Sequence, residues 1–261
     1  MKKSGKITLI VSGIVLTAGV LLFTLGGMLI KRNCEKNYAD SLAFVAEPYP
    51  YAALGEPDDG VPYERDGIRL MMPADLQAKD DSDPERIKSR IFTNSAEDVT
   101  VMMMEPYDYG ELMLADLEQK SSAKALAYFC KSIGCEVPQD WYAFNDLIYH
   151  MTLDDCNAHN VLQAYVFSLF AEGKDELTEP YDACWDLINS DGDRGFMYLM
   201  KPQEGQQEDV CRITVQLFDR DNGNISHDVL IRAPEPETCW RIANSIRGTE
   251  NDGQGEPQYA E

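Results

Sequence analysis

Hydrophobic positions along the chain change character four times. From Ile7 to Ile30 there is no charged residue, and a helix over that run would extend about 36 Å, past the roughly 30 Å hydrocarbon core of a bilayer. Residues 31–64 have no sustained period and hold Pro48, Pro50, Pro57 and Pro62, which stiffen a chain without letting it pair into a sheet. Residues 65–248 alternate between short apolar runs and turn residues. The last stretch, 249–261, "TENDGQGEPQYAE", has almost nothing to bury and reads as a disordered tail.

Within 65–248 the pattern predicts a mixed set of elements. "DGIRLMM", "KSRIFTN" and "DVTVMMME" read as strands bounded by turn residues. "SSAKALAYFCKSIG" reads as a helix: Leu126, Phe129, Cys130 and Ile133 recur at helical spacing, Lys131 suits the negative end, and Gly134 supplies a left-handed cap. "FNDLIYHMTLD" and "NVLQAYVFSLF" read as the next two strands, the second apolar on both faces, as in the middle of a covered sheet. A helix is expected at "EPYDACWDLIN", with Pro180 in its first turn. "GFMYLMK", "DVCRITVQLF" and "ISHDVLIRA" follow as strands, and "EPETCWRIANSIRG" closes as a helix.

The last two strands constrain their own turn. A two-residue Asn222-Gly223 hairpin would set Ile213 opposite Arg232, mating an apolar face with a polar one. Adding Asp221 to the loop pairs Val215 with Val229 and Ile213 with Ile231. The expectation is therefore a three-residue loop with Gly223 left-handed.

This order implies an α+β fold, a mostly antiparallel central sheet covered by helices. The stretches "DGIRLMMPADL", "DVTVMMMEP" and "VLIRAPEPETCWRIANSIRG" resemble the PsbP/Mog1-like family. The resemblance spans about Val61 to Arg247 and implies an α/β/α sandwich. Family members serve largely in binding roles, which the resemblance extends here as an expectation only.

Charge sharpens the organisation. The net formal charge is −22, from 23 lysines and arginines against 45 acids. Six of those cations but a single acid, Glu35, lie in the first 36 residues. The body is thus strongly acidic and repels nucleic acid. Lys2, Lys3, Lys6 and the amino terminus stand before the apolar run, against Lys31, Arg32 and Lys36 after it. That bias places residues 1–6 in the cytoplasm, 7–30 across the membrane as a single-pass signal anchor, 31–64 as a stalk, and 65–248 as an extracytoplasmic domain. A cleaved signal fits less well, because the nearest small-x-small site, Ser41-Leu42-Ala43, lies far downstream.

Candidate chemistry is sparse. Six cysteines follow the stalk, Cys130, Cys135, Cys156, Cys184, Cys211 and Cys239, with Cys34 left over as an odd thiol at the membrane surface. Cys130 and Cys135 are the local candidates for a disulfide across a helix end. His150, Cys156 and His159 make an H-x5-C-x2-H cluster of soft ligands for zinc or copper, at a spacing that matches no standard site. Asn189, Asp191 and Asp193 alternate like a calcium loop, but Arg194 stands where the turn glycine belongs. Asp219 to Asn224 has the same alternation and is accounted for by the hairpin. Met103 falls on the face of Val99 and Val101, so the methionine run reads as core. No phosphate-binding loop, zincin helix, nucleophile elbow or C-x-x-C motif is present. The expected function is a membrane-anchored binding or assembly module without a cofactor, meeting lipid through residues 7–30 and another protein through its domain. The alternatives are a surface-anchored hydrolase using a His/Asp/Cys site, with His150, His159 or His227 as base, and a cytoplasm-facing interaction domain.

Overall fold

The computed structural model describes residues 23–49, 57, 59–79, 89–110, 120–188, 192–202 and 210–249. The chain folds into two compact units, one from residues 1–45, 115–138 and 147–179, the other from 46–114, 139–146 and 180–261. The fold class is α+β, as expected.

The first unit is helical. Helix α1 covers residues 23–37, α2 is Ala39–Ala43, α3 is Lys120–Ile133 and α5 is Val161–Thr178; α4, Trp141–His150, ends in this unit. Helix α3 matches its sequence pattern, with Leu126, Phe129 and Cys130 buried and Gly134 at φ +79° just beyond it. The strands expected at "FNDLIYHMTLD" and "NVLQAYVFSLF" are instead α4 and α5. Cap chemistry explains the difference. The Asn160 carboxamide oxygen accepts from the Leu162 and Gln163 amides at 3.1 and 3.2 Å, and Asp140 accepts from the Ala143 amide at 2.8 Å, so each segment starts as a capped helix. The buried residues of α5, Gln163, Ala164, Val166, Phe167, Ala171, Lys174 and Thr178, recur at helical spacing. Apolar residues on both faces of a strand and a broad stripe on a helix are the same string.

Phe129 packs against Phe167 and Phe170 at ring distances of 6.3 and 4.9 Å. Lys174 is wholly buried beside them. Its ammonium donates to the Tyr149 and Met151 carbonyls at 3.2 and 2.6 Å, serving the end of α4 from another helix.

The second unit holds two sheets. Its strands are β1 (Glu47–Pro48), β2 (Gly60–Arg65), β3 (Ile68–Pro73), β4 (Gln77–Ala78), β5 (Ser89–Thr93), β6 (Thr100–Met104), β7 (Tyr107–Asp108), β8 (Tyr181–Ile188), β9 (Arg194–Met200), β10 (Cys211–Phe218), β11 (Ile225–Ala233) and β12 (Arg247–Gly248), with α6 at Pro236–Asn244. The large sheet runs β1-β8-β9-β10-β11-β6-β5-β4, with β7 also on β11. Every pairing is antiparallel except β1 with β8 among the described residues. The small sheet is β12-β3-β2.

Tyr181–Ile188, expected as a helix after Pro180, is strand β8. Partners on both sides, β1 and β9, satisfy its backbone and override the local pattern. Of the stretch expected as a stalk, the described residues 31–49 and 59–64 include parts of α1 and β2 and the whole of α2 and β1. Residues 1–22, most of the expected membrane span, and the tail from residue 250 lie outside the described residues. Among the described residues no helix is long and apolar enough to cross a membrane.

The core of this unit lies between one face of the large sheet, α6 and β3. Val101, Met103, Val215, Val229 and Ile231 meet Ile68 and Leu70 and, from α6, Cys239, Ile242 and Ala243. Met103 is buried as expected, whereas Met104 is exposed. The β10–β11 register is the one expected, Val215 opposite Val229 and Ile213 opposite Ile231. The loop departs from expectation, for its strands end at Phe218 and Ile225 and Gly223 is not left-handed. Gly223 is needed for close approach: its carbonyl accepts from the Tyr142 amide at 2.9 Å, and a Cβ there would overlap the Asp140 carboxylate. Left-handed geometry belongs instead to Asp66 and Gly67, φ 51° and 83°, in the two-residue turn joining β2 to β3.

Two glycines separate crowding from backbone strain. A Cβ at Gly195 would overlap the Gln216 carbonyl across the β9–β10 pair, whereas nothing lies within 4 Å of one at Gly134. Gly195→Ala is expected to cost about 3 kcal/mol, because neighbouring backbone must move. Gly134→Ala should cost about 1 kcal/mol, the left-handed penalty alone. Urea unfolding of both variants checks the order; equal losses would contradict it.

Candidate functional site

Strand alternation gives the large sheet a second face, opposite the core. Asp228 on β11 stands across from Gln216 on β10, which stands across from Phe196 on β9. Ser226 lies two residues before Asp228 on the same face, and its hydroxyl donates to the Asp228 carboxylate at 3.2 Å. The Tyr198 hydroxyl donates to the Gln216 side-chain oxygen at 3.1 Å, and Gln216 in turn hydrogen-bonds Asp228.

Two aromatic rows reach this carboxyl. In one, Tyr109 stacks on Trp141 at 5.3 Å and Trp141 on Phe144 at 5.4 Å. In the other, Tyr181 stacks on Tyr198 at 4.4 Å. Burial pushes the Asp228 carboxyl above the usual carboxylate range, and the hydrogen bonds of Ser226 and Gln216 offset part of that. Burial, and then the Asp228 charge, raise the Tyr109 and Tyr181 phenols. The result is a neutral, aromatic surround for one acid, suited to taking up a positive group between ring faces.

The next residue points the other way. His227 is buried on the core side, its Nε2 2.6 Å from an Asp219 carboxylate oxygen. Its Nδ1 is buried without a hydrogen-bond partner, and a Cβ on Gly67 would lie 3.0 Å from its Cε1. Among the described residues no serine or cysteine hydrogen-bonds this histidine, so the pair has a base and an orienting acid but no nucleophile. Asp193, a candidate calcium ligand, is occupied: it accepts from Arg220 Nε and Nη2 at 3.0 and 2.8 Å and from the Gly248 amide at 2.9 Å. Its expected partners Asn189 and Asp191 lie outside the described residues.

The H-x5-C-x2-H residues are dispersed. Cys156 is buried in an apolar cluster with Cys34, Phe167 and Ala164, while His150 and His159 are exposed. Burial pushes the Cys156 thiol up to about 11, far from the thiolate a metal requires. Cys34 is fully buried in the same cluster rather than standing free at a surface, because the face of α1 that carries it packs inward. All seven cysteines are free thiols. Cys130 and Cys135 do lie together, hydrogen-bonded through their side chains, with the Cys130 thiol raised to about 12. Cys211 and Cys239 form a second neighbouring pair, in which Cys239 donates to the Cys211 carbonyl at 3.3 Å. The sequence offered no sign of the Asp228 cluster, since its members come from six separated segments and its one acid is one of 45.

Two measurements follow from these environments. The folded chain keeps the Asp228 proton at a pH where the unfolded chain, near the ordinary value of about 3.9, has lost it. The group's contribution to stability is therefore complete below that value and lost as pH rises through its raised folded value. Asp228→Asn should match the wild type near pH 3 and exceed it in stability at pH 7 in thermal melts; a reversed order would refute the environment described. In timed alkylation of the reduced native chain, exposed Cys135 should react first and half-buried Cys211 second. The five buried thiols should react only on unfolding, as read by mass spectrometry.

No protein-family model matches the chain, and no curated protein matches its sequence. Among solved structures it is similar to cyanobacterial PsbP (CyanoP) of Synechocystis sp. PCC 6803, at 8% identity, covering 76% of this chain and 98% of that one with a TM-score of 0.39. A likeness of that size fixes neither family nor activity.

Proposed function

We propose that this chain is a single-pass, membrane-anchored binding or assembly module on the extracytoplasmic side, with the Asp228 face as its recognition surface. Asp228 carries the reading. A carboxyl held in the middle of a sheet, among rings and neutral hydroxyls, is a burden on folding that a bound cation would relieve. The chemistry favours binding over turnover, because the groups facing Asp228 are neutral hydrogen-bonding side chains rather than a nucleophile and its base. The partner is a protein that presents a lysine or arginine, drawn first by the net charge of −22 and then held by ring faces and carboxylate.

The anchor rests on the uncharged run Ile7–Ile30 and the cations flanking it. The finer fold assignment is part of the same reading. The three stretches that resemble the PsbP/Mog1-like family run through β3, β6 and the β11–α6 pair, which supports an α/β/α sandwich of that kind.

Arginine ethyl ester serves as a minimal probe, with Trp141 beside Tyr109 as reporter. Titration should change tryptophan fluorescence saturably in the wild type and at least about tenfold more weakly in Asp228→Asn, the loss of a charged partner. No saturable change, or equal binding by the variant, would remove the recognition surface. Resistance to alkaline carbonate tests the anchor separately, and digestion of the domain by protease added to intact cells tests its side.

A further inference from the structure

The helical unit exposes large apolar side chains that its own core does not use. On α1, Phe23 and Leu29 are 62% and 67% exposed, with Leu25 and Met28 between them. On α5, Leu162 and Tyr165 are 53% and 54% exposed, followed one turn later by Leu169. Beyond Leu169 the exposed positions of the same helix turn acidic, at Glu172 and Glu176. Helix α5 is thus divided along its length, apolar in its first half and charged in its second.

The contacts between α1 and α5 give this division a direction. A Cβ on Gly26 would lie 3.0 Å from Val161 Cγ2, and one on Gly27 would overlap the Ala158 carbonyl. Lys31 Nζ donates to the Cys156 carbonyl at 3.1 Å, and further on Ser41 donates to Asp175. Gly26 thus meets the start of α5, and Ser41, on α2 beyond the break at Tyr38, meets the same helix near its end. The two stretches therefore run side by side in the same direction. Leu162 and Tyr165 stand level with Met28 to Arg32, where the uncharged run ends and the cations begin.

We propose that this end of the unit lies in the interfacial layer of the bilayer, with Leu162, Tyr165 and Leu169 against acyl chains and headgroups. The inference rests on the anchor reading and removes the spacer from it. Lipid is the occupant the charge pattern selects. The apolar stripe begins beside the end of a 24-residue uncharged run, Ile7–Ile30, a tyrosine and two cations sit at the boundary, and along α5 itself the acids begin only at Glu172. A second copy of the chain docked along α5 would have no reason to stop at Glu172.

The test uses the full chain in nanodiscs of phosphatidylcholine and phosphatidylglycerol, with benzoylphenylalanine placed at Leu162, Tyr165, Leu169 or, as control, Glu176. All four positions are exposed, and unchanged circular dichroism melts confirm that the variants fold. Irradiation should yield lipid adducts at the first three sites about tenfold or more above Glu176, read by mass spectrometry. A chain-to-chain adduct in place of lipid, or equal labelling at all four sites, overturns the proposal while carbonate resistance leaves the anchor standing. Release of the chain by carbonate overturns both.

Discussion

The register of β10 against β11 is the constraint on which the second unit depends. Because Val215 faces Val229, Leu217 and Ile231 also turn toward the core, and by the same step Gln216 faces Asp228 on the other side. A slip of one residue in β11 would bring the Asp228 carboxyl into the apolar layer and turn Val229 and Ile231 out. Core and candidate site are thus two faces of a single pairing. The loop that closes the pair reinforces it: Gly223 and Asn224 dock on the first turn of α4, where Asn224 accepts from the Trp141 amide at 3.0 Å. That contact also holds Trp141 under Tyr109, so the turn that fixes the register carries one of the aromatic rows toward Asp228.

Neighbouring residues on β11 show how alternation sorts polar groups. His227 and Asp228 are consecutive and ionisable, yet they face opposite ways and meet different chemistry. His227 is packed beneath Gly67, its Nε2 matched by Asp219 and its Nδ1 buried without a hydrogen-bond partner. Asp228 is held up by burial, against which the hydrogen bonds of Ser226 and Gln216 and the nearby His227 work only in part. The carboxyl that burial leaves raised is thus the one on the face away from the core.

How much the sequence disclosed depended on the range of the interaction concerned. Helix α3 and its left-handed Gly134 were legible because period, charge and cap all lie within one segment. The β10–β11 register was legible because only one alignment mates apolar with apolar. Helices α4 and α5 were misread as strands although Asp140 and Asn160 stood at their starts, a local signal outweighed by a period-two pattern. Strand β8 was misread for the opposite reason, since its state is set by β1 and β9, more distant in sequence. The Asp228 cluster was illegible: its acid has no distinguishing neighbours, and its aromatic partners arrive from β8, β9 and the segment after β7.

Helix α1 shows a further limit on what hydropathy can decide. The uncharged run that suggests a membrane span includes Gly26, Gly27 and Ile30, and in the folded unit those residues meet protein. The glycines bring α1 against the start of α5 so closely that a Cβ at Gly27 would overlap the Ala158 carbonyl and one at Gly26 would press on the Val161 side chain. Cys34 continues the same face into the buried cluster beyond the cations. Leu25, Met28 and Leu29 occupy the other face and remain uncovered by the chain. A helix apolar all round has two ways to remove its surface from water, against protein or against lipid, and composition weighs both equally. The distribution of small and large residues separates the two faces here: small side chains mark the face that admits another backbone, and large ones mark the face the chain leaves uncovered.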